Sequence, residues 1–226
     1  MRQSPFEPRP ASAQEEAYQH ILHGIRMGEM RPGDRLVPEE IAAAIGMSRM
    51  PVREAFSRLA GEGLLVIRPN RGVVVRGLTE KEVSEVFEMR AVLEGLAAAM
   101  AAERATEADI QDLEQLLVRM ESCQPSLSDW ITVHRQFHER LCSISDAPRL
   151  MRQISSLHSV VEPLMRIWLE NSPSLDSIQS VHEELMQALR DGDPAVMEAL
   201  MRAHVRETTS SITDAMRQGA QASSGV

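Results

Sequence analysis

Seven histidines occur in these 226 residues, and four of them are spaced in a way that can do chemistry. His134 and His138 stand four apart in HRQFHERL, one helical turn, which puts both imidazoles on one face. His182 and His204 flank DGDP at 191–194, where glycine and proline spell a tight turn between two helices. Each lies about ten residues from that turn, so at about 1.5 Å rise per residue both sit about 15 Å along antiparallel helices, side by side. With His134 and His138 on a third helix, four imidazoles can converge inside a bundle, a usual place for a metal. Nitrogen-only ligation suits a divalent transition metal such as zinc, nickel or copper, not magnesium or calcium. Four neutral imidazoles leave the ion its full charge, which then draws an anionic ligand. Alternatively they close a tetrahedral zinc site with no open position, and the metal is structural. His20, His23 and His158 read as ordinary core or surface residues.

A metal-dependent hydrolase needs a carboxylate beside the ion or a bridging pair of them. The nearest, Glu139 and Glu183, each directly follow a proposed ligand and so point about 100° away from it on a helix. No glycine-rich phosphate loop and no nucleophile signature occurs. The reading is therefore of a binding protein and not an enzyme.

The elements that must position these groups are helical. Aromatic residues make up 3% of the chain while methionines number 14, which favours aliphatic helix packing. Helices are expected at about 79–103, 107–122, 127–145, 148–170, 175–190 and 194–217, broken at Thr106, Pro125, Pro148, Pro173 and DGDP. Two arginines on them, Arg90 and Arg166, are candidates to pair with the carboxylate of a small effector. The competing reading for Arg90 is an ion pair with Glu94 one turn on. The tail GAQASSGV is expected to be disordered.

Residues 1–78 read differently. They carry 11 arginines against 9 acids, a net of +2, while the remainder carries 13 basic residues against 24 acids, a net of −11. A basic front and an acidic back imply two domains with different partners. After a loose arm at 1–11, Ile21, Leu22 and Ile25 recur at helical spacing, and PEEIAAAI forms a short second helix ending at Gly46. Ser48 can cap a third, in which Val52, Ala55, Phe56 and Leu59 form a buried stripe. Arg49, Arg53 and Ser57 then share another face, with Met50 and Arg58 nearby. LLVIRPNRGVVV follows, two β-branched runs around a turn, hence a hairpin with Asn70 and Arg71 at its tip. Helix, turn, helix and hairpin in that order, with arginines opening the exposed helix, describe a DNA-reading head.

The stretch PGDRL…EEIAAAIGMSRMPVREAFSRLAGEGLLVIRPNRGVVV closely resembles the winged helix-turn-helix of the GntR regulators, over about residues 15–76. Ser48, Arg49, Pro51, Val52, Arg53, Glu54, Ala55, Gly63, Leu64, Arg71 and Gly72 match that family's pattern. The resemblance implies that Ser48, Arg49 and Arg53 touch an operator, and that the wing, with Asn70, Arg71 and Gly72, enters the minor groove. Met50 replaces the usual threonine at this surface, and Glu39 stands where some relatives carry a DNA-binding arginine.

FEMRAVLEGLAAAMAAERAT, HRQFHERLCSISDAPRL and VHEELMQALRDGDPAVMEALMRAH resemble the FCD effector domain of the FadR-type branch, over about residues 79–215. That resemblance implies a metal held by an aspartate and three histidines. His138, His182 and His204 match, and His134 replaces the aspartate.

The expected fold is mostly α: an arm at 1–11, a winged helix-turn-helix at 12–78, an all-helical effector and dimerisation domain at 79–217, and a tail at 218–226. The expected protein is a cytoplasmic homodimer that binds a palindromic double-stranded operator. It is a repressor released by a small carboxylate bound at or near the metal, zinc or nickel foremost. The alternative is a metal that is purely structural or is itself the signal. No run reaches the roughly 18 apolar residues of a membrane span.

Overall fold

The computed structural model describes residues 12–68, 72–123, 126–171 and 176–223. They divide into two compact units that meet in sequence at Gly77 and Leu78.

In the first unit, α1 (Ala13–Arg26) is capped by the Ser12 hydroxyl, which accepts from the Glu15 N–H. A two-residue strand β1 (Arg35–Leu36) leads into α2 (Pro38–Ala44) and then α3 (Arg49–Gly61). Between these helices Gly46 takes φ +67°, a left-handed conformation that glycine adopts at no steric cost and that reverses the chain within three residues. Strands β2 (Leu65–Arg68) and β3 (Gly72–Val75) pair antiparallel, with Arg68 opposite Gly72. The expected hairpin is therefore present, but β1 adds a third strand on its far side, in the order β1-β3-β2. Two residues are too few to leave an alternating pattern in sequence. Ile21, Leu22 and Ile25 pack with Val52, Ala55, Phe56 and Leu59 as the buried core, as their spacing requires.

The second unit is six helices among the described residues: α4 (Glu80–Ala102), α5 (Glu107–Ser122), α6 (Leu127–Ser143), α7 (Pro148–Asn171), α8 (Asp176–Asp191) and α9 (Pro194–Ser223). Thr79 with Glu82 and Thr106 with Asp109 form capping boxes that fix where α4 and α5 start. Gly192, at φ +68°, makes the turn between α8 and α9. Helices α4 and α9 form the most extensive pair of the unit. Ala98 and Ala101 are wholly buried on α4, and a Cβ on Gly95 would come within 2.7 Å of the Arg202 side chain, so small residues set this close approach. The last helix continues through Ser223, where a tail beginning at 218 was expected to be disordered. One glycine among alanine and glutamine is too weak a breaker to end a helix already running.

Candidate metal centre and nucleic-acid interface

On α6, Trp130, His134, Phe137, His138 and Leu141 recur at three- and four-residue steps and face the core. α8 contributes His182 and α9 contributes His204 across the Gly192 turn, their ring centroids 4.9 Å apart. The four imidazoles are 0–8% exposed, and one ligand atom from each lies within 4.8 Å of the others. His138 Nε2 and His204 Nε2 are 3.2 Å apart. A tetrahedral zinc with bonds of about 2.0–2.1 Å separates its donors by about 3.3 Å, and opposite donors of an octahedron lie about 4.2 Å apart. The widest spacing, 4.8 Å, exceeds both, so the rings would have to close in to share one ion, but four buried imidazoles facing one another are a donor set that a transition metal takes.

The protonation of the rings fits it too. Burial pushes the pKa of His134 well below its ordinary value, and the neighbouring imidazoles of His138, His182 and His204 push it further. His204 is lowered in the same way, by burial first and then by His182 and His138. Burial also lowers His138, against the pull of Glu94. Neutral rings offer the lone pairs that ligation requires. His134, standing where the resemblance implies an aspartate, is stacked on Trp130 with centroids 4.7 Å apart and planes 19° apart.

Beside this cluster is a small pocket open to solvent, with about 300 Å³ of non-atom space when its open mouth is counted. Its walls are Arg90 of α4, Ile131, His134, Arg135 and His138 of α6, and His158, Val161, Glu162 and Met165 of α7. The pocket therefore shares two imidazoles with the cluster. Arg90 donates through Nε to Glu94 at 2.8 Å and lies over the Phe87 ring. The ion pair that competes with an effector role for Arg90 is thus formed, but it engages only one edge of the guanidinium. Arg135 contacts Glu139 at 3.0 Å and Glu162 at 3.5 Å. The side chain of Arg166 and the residues Asn70 and Arg71 lie outside the described residues.

His158, expected as an ordinary core or surface residue, is a buried core residue 2.9 Å from Glu94 through Nε2, and it also walls the pocket. Burial opposes its protonation, but Glu94 and Glu139 outweigh that and raise its pKa. The signal that could have found it is the run His158, Val161, Glu162, Met165, one face of α7. Glu139 is taken up by Arg135 and His158, and Glu183 is exposed, so neither stands as an acid–base partner of the cluster.

In the first unit α3 exposes Arg49, Met50, Arg53 and Ser57 along one side, with Ser48 at its N-cap position. The Ser48 hydroxyl makes no capping bond, so the capping expected of its side chain is absent. Arg49 Nη1 meets Glu39 Oε1 at 2.8 Å, with 68% and 49% of the two side chains exposed. Glu39 thus sits beside the leading arginine of this surface. Arg58, grouped with the DNA-facing residues on spacing, is turned to a different task. Its guanidinium lies 3.6 Å over the Tyr18 ring and pairs with Glu15 and Glu62. Burial and the Glu62 contact push the Tyr18 hydroxyl up to about 12, so it stays a donor to Glu62. Arg58 therefore ties α3 to α1. Gly72 opens β3 at φ +84°.

Two family models match the chain: "Bacterial regulatory proteins, gntR family" over residues 13–75, and "FCD domain" over residues 85–207. The Nta operon transcriptional regulator of Aminobacter aminovorans is 31% identical, covering 83% of this chain and 88% of that protein. The HTH-type transcriptional repressor RspR of Escherichia coli strain K12 is 30% identical over 80% of each. Among solved structures, E. coli McbR/YncC superposes with a TM-score of 0.81 at 25% identity, over 90% of this chain and 98% of that one. No described helix is long and apolar enough to cross a membrane.

Proposed function

From the premise that the chain belongs to the GntR family, as a DNA-binding transcription regulator with an FCD domain, we propose that it is a metal-loaded repressor released by a small carboxylate. Family membership makes it a regulator and not an enzyme. The observation that carries the rest is Arg90: buried, engaged by Glu94 only through Nε, and lining a pocket that His134 and His138 also line. A guanidinium holds five N–H groups in a fixed fork suited to a carboxylate. A metal beside it supplies charge for the same anion.

His134, His138, His182 and His204 hold the ion, and all-nitrogen ligation selects zinc or nickel. Ser48, Arg49, Met50 and Arg53 face the operator, with the wing residues Asn70, Arg71 and Gly72 in the adjacent groove. Met89, Val92 and Leu96 form an exposed apolar stripe on α4 at i, i+3 and i+7, which a second copy covers in a homodimer. Two-fold symmetry then calls for a palindromic operator. The acid acts by binding the two states of the dimer unequally, without which no equilibrium moves. Arg166, from its place on α7, is a further candidate for the effector's charge.

Elemental analysis of the protein, of His138→Ala and of His182→Ala tests the metal. About one equivalent of zinc or nickel is expected in the first and a loss in both variants; retention in both returns these histidines to the core. A thermal-shift screen of small organic acids against metal-loaded protein tests the effector. If chelation alone changes operator affinity and no acid raises the melting temperature, the metal is itself the signal.

A further inference from the structure

The carboxylate of Glu94 lies behind the pocket wall, against Arg90, His158 and His138, with none of its surface exposed. Oε1 accepts from Arg90 Nε at 2.8 Å and lies 2.9 Å from His158 Nε2. Oε2 lies 3.2 Å from Nδ1 of His138, close but off the line of a formed hydrogen bond, and both atoms are buried with no other hydrogen-bond partner. The other nitrogen of that ring, Nε2, faces His204 at 3.2 Å. The two nitrogens of His138 therefore have different neighbours: a carboxylate on one side and the cluster on the other.

A neutral imidazole has one N–H to place. A carboxylate at Nδ1 draws the hydrogen there and leaves the Nε2 lone pair to the ion. Burying a carboxylate is costly, and an apolar side chain of similar volume fills such a space at less expense. Arg90 needs only one of its oxygens. We propose that Glu94 is the positioning residue of the metal centre: it holds His138 in the Nδ1–H tautomer and, through its other oxygen, ties that ligand to Arg90 and His158 of the pocket. This rests on the metal reading above.

In Glu94→Gln the amide oxygen stays on Arg90, which can only donate, so the amide NH2 faces His138. That geometry drives the ring hydrogen to Nε2 and blocks ligation. The experiment is zinc titration of the full-length protein and of Glu94→Gln against a chromophoric chelator. It is paired with ¹⁵N spectra of the His138 ring in the metal-free state. The expected result is zinc binding weakened about 10–100-fold in the variant, with the ring hydrogen on Nδ1 in the parent and on Nε2 in the variant. If the parent binds no zinc, the metal reading fails. If the parent binds and the variant binds equally well, or loses zinc with its tautomer unchanged, the role of Glu94 is overturned. The spectrum of the parent decides independently of whether the variant folds: a hydrogen on Nε2 there overturns the proposal.

Discussion

The two units keep their working residues in opposite environments. In the head, Arg49, Met50 and Arg53 are exposed and follow one another on a single helix. In the helical unit, His134, His138, His182 and His204 are buried and come from three helices spread over 71 residues of sequence. A surface that meets a long polyanion can be written as a local string, because the partner supplies the other half of the geometry. An ion has no such extent, so the chain must surround it, and the ligands come from wherever the fold brings helices together. The first kind of site tolerates water and salt in its rest state; the second holds neutral rings away from both.

The largest test of this contrast is ionic strength. A pair of heads neutralising roughly 6–10 phosphates should lose about 10³–10⁵-fold in DNA affinity between about 50 and 200 mM salt. Zinc binding to the buried cluster, measured in parallel, should change far less, since buried charges are little screened. Equal slopes would erase the distinction.

Zinc itself comes next. An ion that binds only the folded state at about 1,000 times its Kd adds about 4 kcal/mol to stability. The gain should appear in the hydrogen-exchange protection of α6, α8 and α9 and not in α1 or α3. Protection rising equally in the head would show that metal and DNA surface belong to one cooperative unit.

Within the head, Arg49→Ala should cost about 1–3 kcal/mol of operator binding if its fork reads a base, with the melting temperature unchanged. Arg58→Ala should do the reverse and destabilise the α1–α3 contact, because its partners are Tyr18, Glu15 and Glu62. Loss of DNA contact by Arg58→Ala in a fully folded head would restore it to the recognition surface.

Acid gives a smaller effect in the helical unit, set by its buried imidazoles. In the metal-free fold His134 and His204 have pKa values well below those of the unfolded chain. Above about pH 6.5 both states are neutral and the two rings contribute nothing to pH dependence; below it the unfolded chain takes up protons that the fold refuses. Stability of the chelated protein should therefore fall as the pH drops below about 6.5, by up to about 1.4 kcal/mol per pH unit for each of the two rings. His158, raised by Glu94 and Glu139, works the other way: its contribution is present at low pH and lost as pH rises through its folded pKa. Urea titrations at stepped pH check the balance. Smallest of all, Glu39→Gln removes one exposed partner of Arg49 and should leave the melting temperature where it was.

What could be read from residues alone follows the same division. The buried stripe of α3, the arginines beside it and the hairpin are periodic or punctuated, and periodicity survives without coordinates. The convergence of four histidines was legible because turn position and helical rise fix height along a helix. What spacing cannot give is burial of an individual pair. Arg90 and Glu94 at i, i+4 look the same on a solvated face and in a core, and only the fold shows Glu94 fully enclosed with two imidazoles against it. The place of His158 in the pocket wall is hidden from spacing for the same reason. Nor can spacing show that Arg58, which stays exposed, lies over the ring of Tyr18, 40 residues earlier in the chain.

The indole of Trp130, face to face with His134, has a consequence for observing this protein. An ion that draws on the lone pair of that imidazole withdraws electron density from a ring in contact with a fluorophore. The chain carries two tryptophans, so Trp168→Phe leaves one emitter, and it lies against a ligand of the proposed centre. If the proposed ion binds there, its occupancy should change the emission of unlabelled protein, which a zinc titration of Trp168→Phe would read.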